Sequence, residues 1–135
     1  PPLLESAMPR RSLIVRIAVC GVVLAVASQA REAFAIKQFA DQFKEVYVKE
    51  GTPLAAEVEA AKCNVCHKGK SKKDRNAYGE ALAKLLDKKE DKANVEKIRE
   101  ALATVAKESS DPSNPSAPTF GALIEGGKLP GGPAE

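Results

Sequence analysis

The feature that most constrains this chain is a histidine placed directly after a C-x-x-C pair, in Cys63-Asn64-Val65-Cys66-His67. It is the only histidine among the 135 residues. This spacing is typical of c-type haem attachment. The two sulfurs form thioethers with the haem vinyl groups, and the next residue offers an imidazole to the iron. The motif therefore predicts one covalent haem c on Cys63 and Cys66, with His67 as an iron ligand.

Two other kinds of site share the C-x-x-C pair. A structural zinc site takes four ligands, usually from cysteine and histidine. Outside the motif the chain has only Cys20 as a further cysteine and no histidine, so a single chain cannot complete such a site. A thioredoxin-like dithiol is typical of a βαβ setting, whereas the sequence around the motif predicts helices. A dithiol remains the alternative to haem at these cysteines.

The first 35 residues have the pattern of an export signal. Three arginines follow Met8, an uncharged and mostly apolar run covers 17–30, and Ala33-Phe34-Ala35 offers a cleavage site. The apolar run is shorter than the roughly 20 residues that a membrane helix needs. We therefore expect residues 1–35 to be an upstream extension and a removed signal peptide. The mature protein is then periplasmic or otherwise exported, without a stable membrane span, and an uncleaved anchor is the alternative.

Cleavage after Ala35 would leave 100 residues, which is enough for one small domain. That chain would carry 17 Lys and Arg residues against 16 Asp and Glu. Because these charges nearly balance, bulk charge suggests no role in binding nucleic acid. A chain of this size buries a limited core, to which a haem would add a large apolar filling. We expect a haem domain at 36–129 and a flexible tail at 130–135.

The spacing of apolar residues predicts an all-α domain of about four helices joined by long polar loops. The first helix is expected to end at Gly51, and the others to cover 53–62, 75–88 and 93–107. Thr52 and Thr119 are predicted N-caps, the latter of a short turn. The chain from Gly126 onward is expected to fray. Each predicted helix, and the short turn, has one apolar face. In chain order these faces hold Ile36, Phe39, Phe43, Val46 and Tyr47; Leu54, Val58 and Ala61; Tyr78, Leu82, Leu85 and Leu86; Val95, Ile98, Leu102 and Val105; and, in the turn, Phe120, Leu123 and Ile124.

A basic loop follows the motif directly. Its five cationic side chains are Lys68, Lys70, Lys72, Lys73 and Arg75. Such a cluster can pair with the haem propionates or steer an acidic redox partner toward an exposed haem edge. The alternative is a solvated turn without a partner.

Taken together, these features resemble a small exported bacterial monohaem cytochrome c. The resemblance is carried by the signal-like segment, the single Cys63-x-x-Cys66-His67 motif, the Lys-rich loop and Asn76-Ala77-Tyr78-Gly79. It covers roughly 63–129 in character, and only the five-residue motif is specific. The resemblance implies a cytochrome c-like fold, haem c on the two cysteines, and His67 on the iron. It also implies electron transfer with a periplasmic redox partner protein rather than enzyme activity.

The chain departs from this family at the second axial iron ligand. Class I cytochromes supply a methionine or a second histidine, but the only methionine here is Met8. The motif is also central, whereas in the cytochrome c′ group it lies near the C-terminus. Three alternatives stay open: an open or water-bound site, a partner's side chain, or a lysine that is neutral despite a reference pKa of about 10.4. The lysines that could fill this role are Lys84, Lys97, Lys107 and Lys128. Tyr78 is a further candidate ligand, although its place on an apolar helical face favours a role in the core or at the haem edge.

Three interpretations of function follow from these observations. The first is an electron carrier with one haem, and the second is a haem protein that binds or senses a small ligand at an open iron site. No distal histidine is present for acid–base work, so the sequence does not favour an enzyme. The third is an exported helical domain in which Cys63 and Cys66 form a disulfide.

Overall fold

Helices make up the regular structure of the domain. The computed structural model describes residues 37–134, and these residues contain helices and no strands. The helices are α1 at 37–47, α2 at Pro53–Ala61, α3 at Ala77–Leu85, α4 at Val95–Val105 and α5 at Phe120–Glu125, with a 3₁₀ helix at Lys62–Val65. The predicted all-α fold class is confirmed. The predicted export signal and Ile36 lie outside the described residues. No helix within 37–134 has both the length and the apolar character to cross a membrane.

A polar side chain caps the start of each of α2 to α5. Thr52, Asn76, Asn94 and Thr119 each accept a hydrogen bond from the backbone N–H three residues later. Such a cap contributes about 1 kcal/mol to the stability of its helix. The two threonine caps confirm the prediction. The two asparagine caps place the starts of α3 and α4 two residues later than the apolar spacing indicates.

The end of α1 differs from the prediction. The helix ends at residue 47, and Gly51 lies in the following turn with a φ of 75°. Thr52 closes this turn, because its hydroxyl donates to the Lys49 carbonyl oxygen at 2.7 Å. The turn is thus held by the residue that also caps α2, and glycine supplies the left-handed conformation that it requires.

The core gathers apolar side chains from all five helices. The least exposed are Tyr78, Phe120, Ile98, Leu102, Val105 and Pro130. All three predicted core residues of α2 are buried, and so are three of the four on α4. The predicted faces are incomplete at two positions, since Val46 and Leu85 remain 43% and 39% exposed. Both lie near the C-terminal ends of their helices, and the residues that follow them, Tyr47 and Leu86, are the ones that pack against the core.

Polar contacts attach α1 to α4. The Tyr47 hydroxyl donates to the Leu102 carbonyl oxygen at 3.0 Å. One turn earlier along α4, Arg99 donates through Nε to Gln42 at 2.7 Å and through Nη2 to Glu45 at 2.6 Å. These contacts join residues more than 50 positions apart in sequence. They hold α1 against α4 beside the core.

The charged segment between α3 and α4 is an ordered turn. Lys97 Nζ lies 2.8 Å from both carboxylate oxygens of Asp91, and the Asp87 N–H donates to Asp91 Oδ2 at 2.8 Å. The Lys97 contact and then the Asp87 N–H lower the pKa of Asp91, and the pKa of Lys97 is raised mainly by the same ion pair. Lys97 therefore stays protonated at neutral pH.

The segment after α5 packs against the domain, which differs from the expected fraying from Gly126 onward. Leu129 is 5% exposed, and Pro130, at the start of the segment expected to be flexible, is fully buried. The Lys128 N–H donates to the Leu123 carbonyl oxygen at 2.9 Å, and Gly127 takes a φ of 74° in the turn. Burial of these two apolar side chains stabilises a segment whose glycine and proline content alone favours disorder.

Candidate functional site

A strained backbone leads into the Cys63–His67 motif. Lys62 has a φ of 51°, which is uncommon for a residue other than glycine. Its N–H donates to the Val58 carbonyl oxygen and ends α2, and the 3₁₀ helix follows. Such backbone strain costs about 1–3 kcal/mol and is typical of functional sites. The strained residue immediately precedes Cys63, which lies at the protein surface.

The two cysteines of the motif are both free and are joined by one tight turn. The N–H groups of Cys66 and His67 both donate to the Cys63 carbonyl oxygen, at 3.3 and 3.1 Å. Cys63 is exposed and Cys66 is half-buried. Burial, and to a smaller extent the nearby Cys63, raises the pKa of Cys66 to about 12. Cys66 is therefore a neutral thiol at pH 7, whereas reactive dithiol centres depend on a lowered thiol pKa.

The His67 ring is oriented by a backbone carbonyl. Its Nδ1 lies 3.2 Å from the Asp74 carbonyl oxygen. Because a carbonyl oxygen only accepts, this contact assigns the proton to Nδ1 and leaves the lone pair on Nε2. A neutral imidazole in this tautomer can bind a metal through Nε2, and the hydrogen bond at Nδ1 fixes the orientation of the ring.

The loop that supplies the Asp74 carbonyl is closed at its base and exposed along its length. His67 and Arg75 form an antiparallel bridge, and the Lys68 N–H donates to the same Asp74 oxygen at 3.1 Å. All seven residues from 68 to 74 are exposed. Arg75 lies 3.9 Å from Glu80, while within residues 37–134 none of the four loop lysines forms an ion pair. The loop thus presents uncompensated positive charge next to His67.

Asn76 connects α3 to the motif. Its Nδ2 lies 3.2, 3.0 and 3.4 Å from the carbonyl oxygens of Asn64, Val65 and His67. Its Oδ1 accepts from the Gly79 N–H at 2.9 Å, and its own N–H donates to the Cys66 carbonyl oxygen at 3.1 Å. Asn76 belongs to the sequence pattern that carries the family resemblance, but that pattern implies no role for it. Its position before a helix signals an N-cap, whereas no local pattern signals its contacts with the motif.

Two glycines surround these contacts. A Cβ atom at Gly79 would collide with the Cys66 carbonyl oxygen, and a Cβ atom at Gly131 would collide with the Asn76 amide. Glycine is therefore favoured at both positions, since Gly79 lets α3 approach the Cys66 backbone and Gly131 lets the C-terminal segment approach the Asn76 side chain. The first turn of α3, the motif and the C-terminal segment thus meet around one asparagine side chain.

Tyr78 lies in the core beside the motif. Its ring packs edge-on against Phe43 and Phe120, at centroid distances of 5.8 and 5.2 Å. Its hydroxyl is buried and has no hydrogen-bond partner among the described residues. Burial raises the pKa of Tyr78 far above its ordinary value, and the nearby Cys66 and Tyr47 raise it further. A buried hydroxyl without a partner costs about 1–3 kcal/mol of stability. The core beside Cys66 therefore contains a polar group whose hydrogen bond is not satisfied within residues 37–134.

The four lysines considered as iron ligands all have exposed side chains in the structure. Lys97 is bound to Asp91, and this pairing disfavours the neutral amine that ligation needs. Lys84 lies in the last turn of α3, and Lys107 and Lys128 lie beyond the ends of α4 and α5. None of the four is therefore buried in a place that would favour its neutral form.

The structure does not bring the three motif side chains together as one metal cluster. Within residues 37–134, no group of three histidine, cysteine, aspartate or glutamate side chains is arranged to hold a metal ion. Comparison with family models, with curated proteins and with solved structures finds no match to this chain. The motif and the contacts described above therefore define the site.

Proposed function

We propose that this protein is an exported monohaem c-type cytochrome that transfers electrons. The observation that carries the proposal is the complete C-x-x-C-H motif, in which Asp74 holds His67 Nδ1 and leaves Nε2 with a lone pair. The predicted cofactor sites are Cys63, Cys66 and His67, with His67 as the iron ligand. The apparent export signal supports the same interpretation, because covalent haem attachment in bacteria takes place outside the cytoplasm.

The residues of the site fit a covalent haem. Thioethers join sulfur to the vinyl carbons and not to the iron, so Cys63 and Cys66 need not converge on a metal with His67. Both thiols are free, and neither is fully buried. The buried Tyr78 hydroxyl lies near Cys66 and has no partner within residues 37–134, so it is available to donate to a polar group bound there.

Each residue has a distinct task in the proposed mechanism. Haem c supplies reversible one-electron transfer at its iron. Cys63 and Cys66 would tether the group, and His67 Nε2 would bind the metal. The Asp74 carbonyl holds the proton on Nδ1, which keeps the ring in one tautomer and strengthens its donation.

Covalent attachment of haem to the full chain tests this proposal. We expect the chain, co-expressed with a bacterial haem-attachment pathway, to appear in the periplasmic fraction with one haem. The covalent bond predicts a haem-stained band on a denaturing gel, because only tethered haem survives denaturation. The control is the same chain in a strain without the pathway, which should give no stained band. A colourless protein from the competent strain would reject the cytochrome assignment and leave the disulfide-bearing domain.

A haem protein that binds small ligands is the second candidate. It is favoured by the absence of methionine and of a second histidine after Met8, and by the exposure of the four candidate lysines. An open or water-bound iron binds carbon monoxide readily in the ferrous state, which changes the visible spectrum. A closed site held by a lysine or by a partner resists carbon monoxide, and the electron-carrier assignment then stands alone.

The proposed partner is an acidic redox protein that docks on the loop at 68–75. The exposed lysines of this loop form no ion pairs within residues 37–134 and lie next to His67. Opposite charges steer association, and this effect weakens when salt shortens the Debye length to about 10 Å at 0.1 M.

Reversing three loop charges should slow reaction with an anionic oxidant. We expect Lys70→Glu, Lys72→Glu and Lys73→Glu together to slow oxidation by hexacyanoferrate(III) by about tenfold at low ionic strength. The cationic oxidant tris(phenanthroline)cobalt(III) should respond in the opposite direction, and both effects should shrink with added salt. The measurement is stopped-flow oxidation of the reduced protein.

A matched control reverses three exposed lysines outside the loop. Lys37, Lys44 and Lys49 give the same change of net charge when replaced by glutamate. A smaller effect in this control assigns the steering to the loop. Equal effects in both triple variants would reject a local docking surface, and so would rates that do not change with salt.

A further inference from the structure

We propose that Asn76 is a positioning residue for haem attachment, which holds the backbone of the motif so that Cys66 and His67 face the haem in one geometry. The inference rests on the proposed cytochrome function. Asn76 contacts four consecutive carbonyl oxygens, those of residues 64 to 67. Three of them face its side-chain Nδ2, and the Cys66 oxygen accepts from its backbone N–H.

These contacts give hydrogen-bond partners to carbonyl groups at and just beyond the end of the 3₁₀ helix. The 3₁₀ helix ends at Val65, and the last carbonyl groups of a helix have no partner within it. The Nδ2 group carries two hydrogens and faces three oxygens, so at least one hydrogen is shared between two acceptors. The contacts at 3.0 and 3.2 Å are direct hydrogen bonds, and the one to the His67 oxygen at 3.4 Å is the longest.

The asparagine itself cannot turn away from the motif. Its Oδ1 is occupied by the Gly79 N–H at 2.9 Å, which fixes the orientation of the amide group. The Gly131 backbone is close enough to the same amide that any side chain at that position would collide with it. Both ends of the amide are therefore constrained, one by α3 and the other by the motif.

His67 is consequently held from two sides. The Asp74 carbonyl orients the ring, and Asn76 orients the peptide groups on either side of Cys66. Residues that support a metal ligand in this way change metal affinity or activity by about 10–100-fold when they are replaced. We infer that Asn76 acts through His67 and Cys66 and has no contact with the iron.

The substitution Asn76→Asp separates the two tasks of the side chain. Aspartate keeps an oxygen for the Gly79 N–H and remains a good N-cap. It replaces the Nδ2 donor with an oxygen that would face three carbonyl oxygens. Asn76→Ser is the second variant, because it removes the same donor without adding charge and keeps a capping hydroxyl.

Asn94→Asp is the matched control. Asn94 caps α4 through the same contact, with its Oδ1 3.0 Å from the Lys97 N–H, and it does not touch the motif. We expect both Asn76 variants to lower the fraction of chains with covalent haem by about tenfold. In the chains that are loaded, the proton NMR signals of His67 and of the haem methyl groups should shift. Asn94→Asp should change neither quantity.

A readout without haem completes the test. In the unloaded full chain, the Asn76 variants should speed hydrogen exchange at the N–H groups of residues 66 and 67 more than at those of α4. Loading and NMR signals that match the wild type would overturn the positioning role while the cytochrome assignment stands, even if the melting temperature falls. A wild-type chain that takes up no haem would overturn both.

Discussion

Replacing both Cys63 and Cys66 with serine is expected to remove all covalent haem from the chain. Serine has nearly the same shape but forms no thioether, and no other cysteine lies in residues 36–135. A double variant should therefore lose its haem on a denaturing gel, whereas each single variant keeps one tether and shows weaker retention. The measurement is the haem stain normalised to total protein, with intact mass as a second readout.

Cys20→Ser is the control for this experiment. Cys20 lies in the apolar run that we predict to be cleaved, so its loss should leave haem attachment unchanged. The two single variants also show whether haem retention differs between the thiols, because Cys63 is exposed and Cys66 is half-buried. Haem that survives denaturation in the double variant would contradict attachment at this motif.

The His67→Ala variant should lose normal iron ligation while it keeps some covalent haem. No second imidazole exists in the chain, and the cysteines remain available for attachment. We expect a large change in the Soret band and a shift of the reduction potential, because the axial ligand is one of the factors that set it. Added imidazole should partly restore the spectrum, since it supplies the missing ligand to the vacated position.

Two controls and one contradicting outcome complete the His67→Ala experiment. The control is wild-type protein with the same imidazole concentration, which reports any binding at the other iron face. Circular dichroism of the variant tests whether the helices are retained. An unchanged visible spectrum in His67→Ala would reject His67 as the ligand and would require another donor within the chain.

Local sequence rules predicted most of the helical frame. Thr52 and Thr119 are capping residues next to apolar periodic segments, so propensity and tertiary structure agree there. The starts of α3 and α4 were predicted two residues early, because the apolar period does not tell a capping asparagine from the first helical residue. Arg75 lies in the bridge to His67 and cannot begin the helix.

The parts that the sequence did not predict depend on contacts between distant residues. Asn76 reaches carbonyl groups 9 to 12 positions earlier in the chain, and Gly131 approaches Asn76 from the C-terminal segment. Pro130 is buried although its surroundings favour disorder. Periodicity and propensity describe neighbours in sequence, so they carry no information about such contacts. The motif, by contrast, is local, and for that reason the sequence alone identifies Cys63, Cys66 and His67 as candidates.

The closed base of the loop at 68–74 has a consequence for how this protein can vary. The Asp74 carbonyl orients the His67 ring and the bridge to Arg75 closes the loop, while residues 68 to 73 are exposed and form no hydrogen bond with the ring. Doubling the length of a flexible loop costs only about 0.6 kcal/mol in closure entropy. Insertions near Gly69 or Lys70 should therefore leave the ring orientation intact. Chain length and surface charge can change here independently of the geometry at His67.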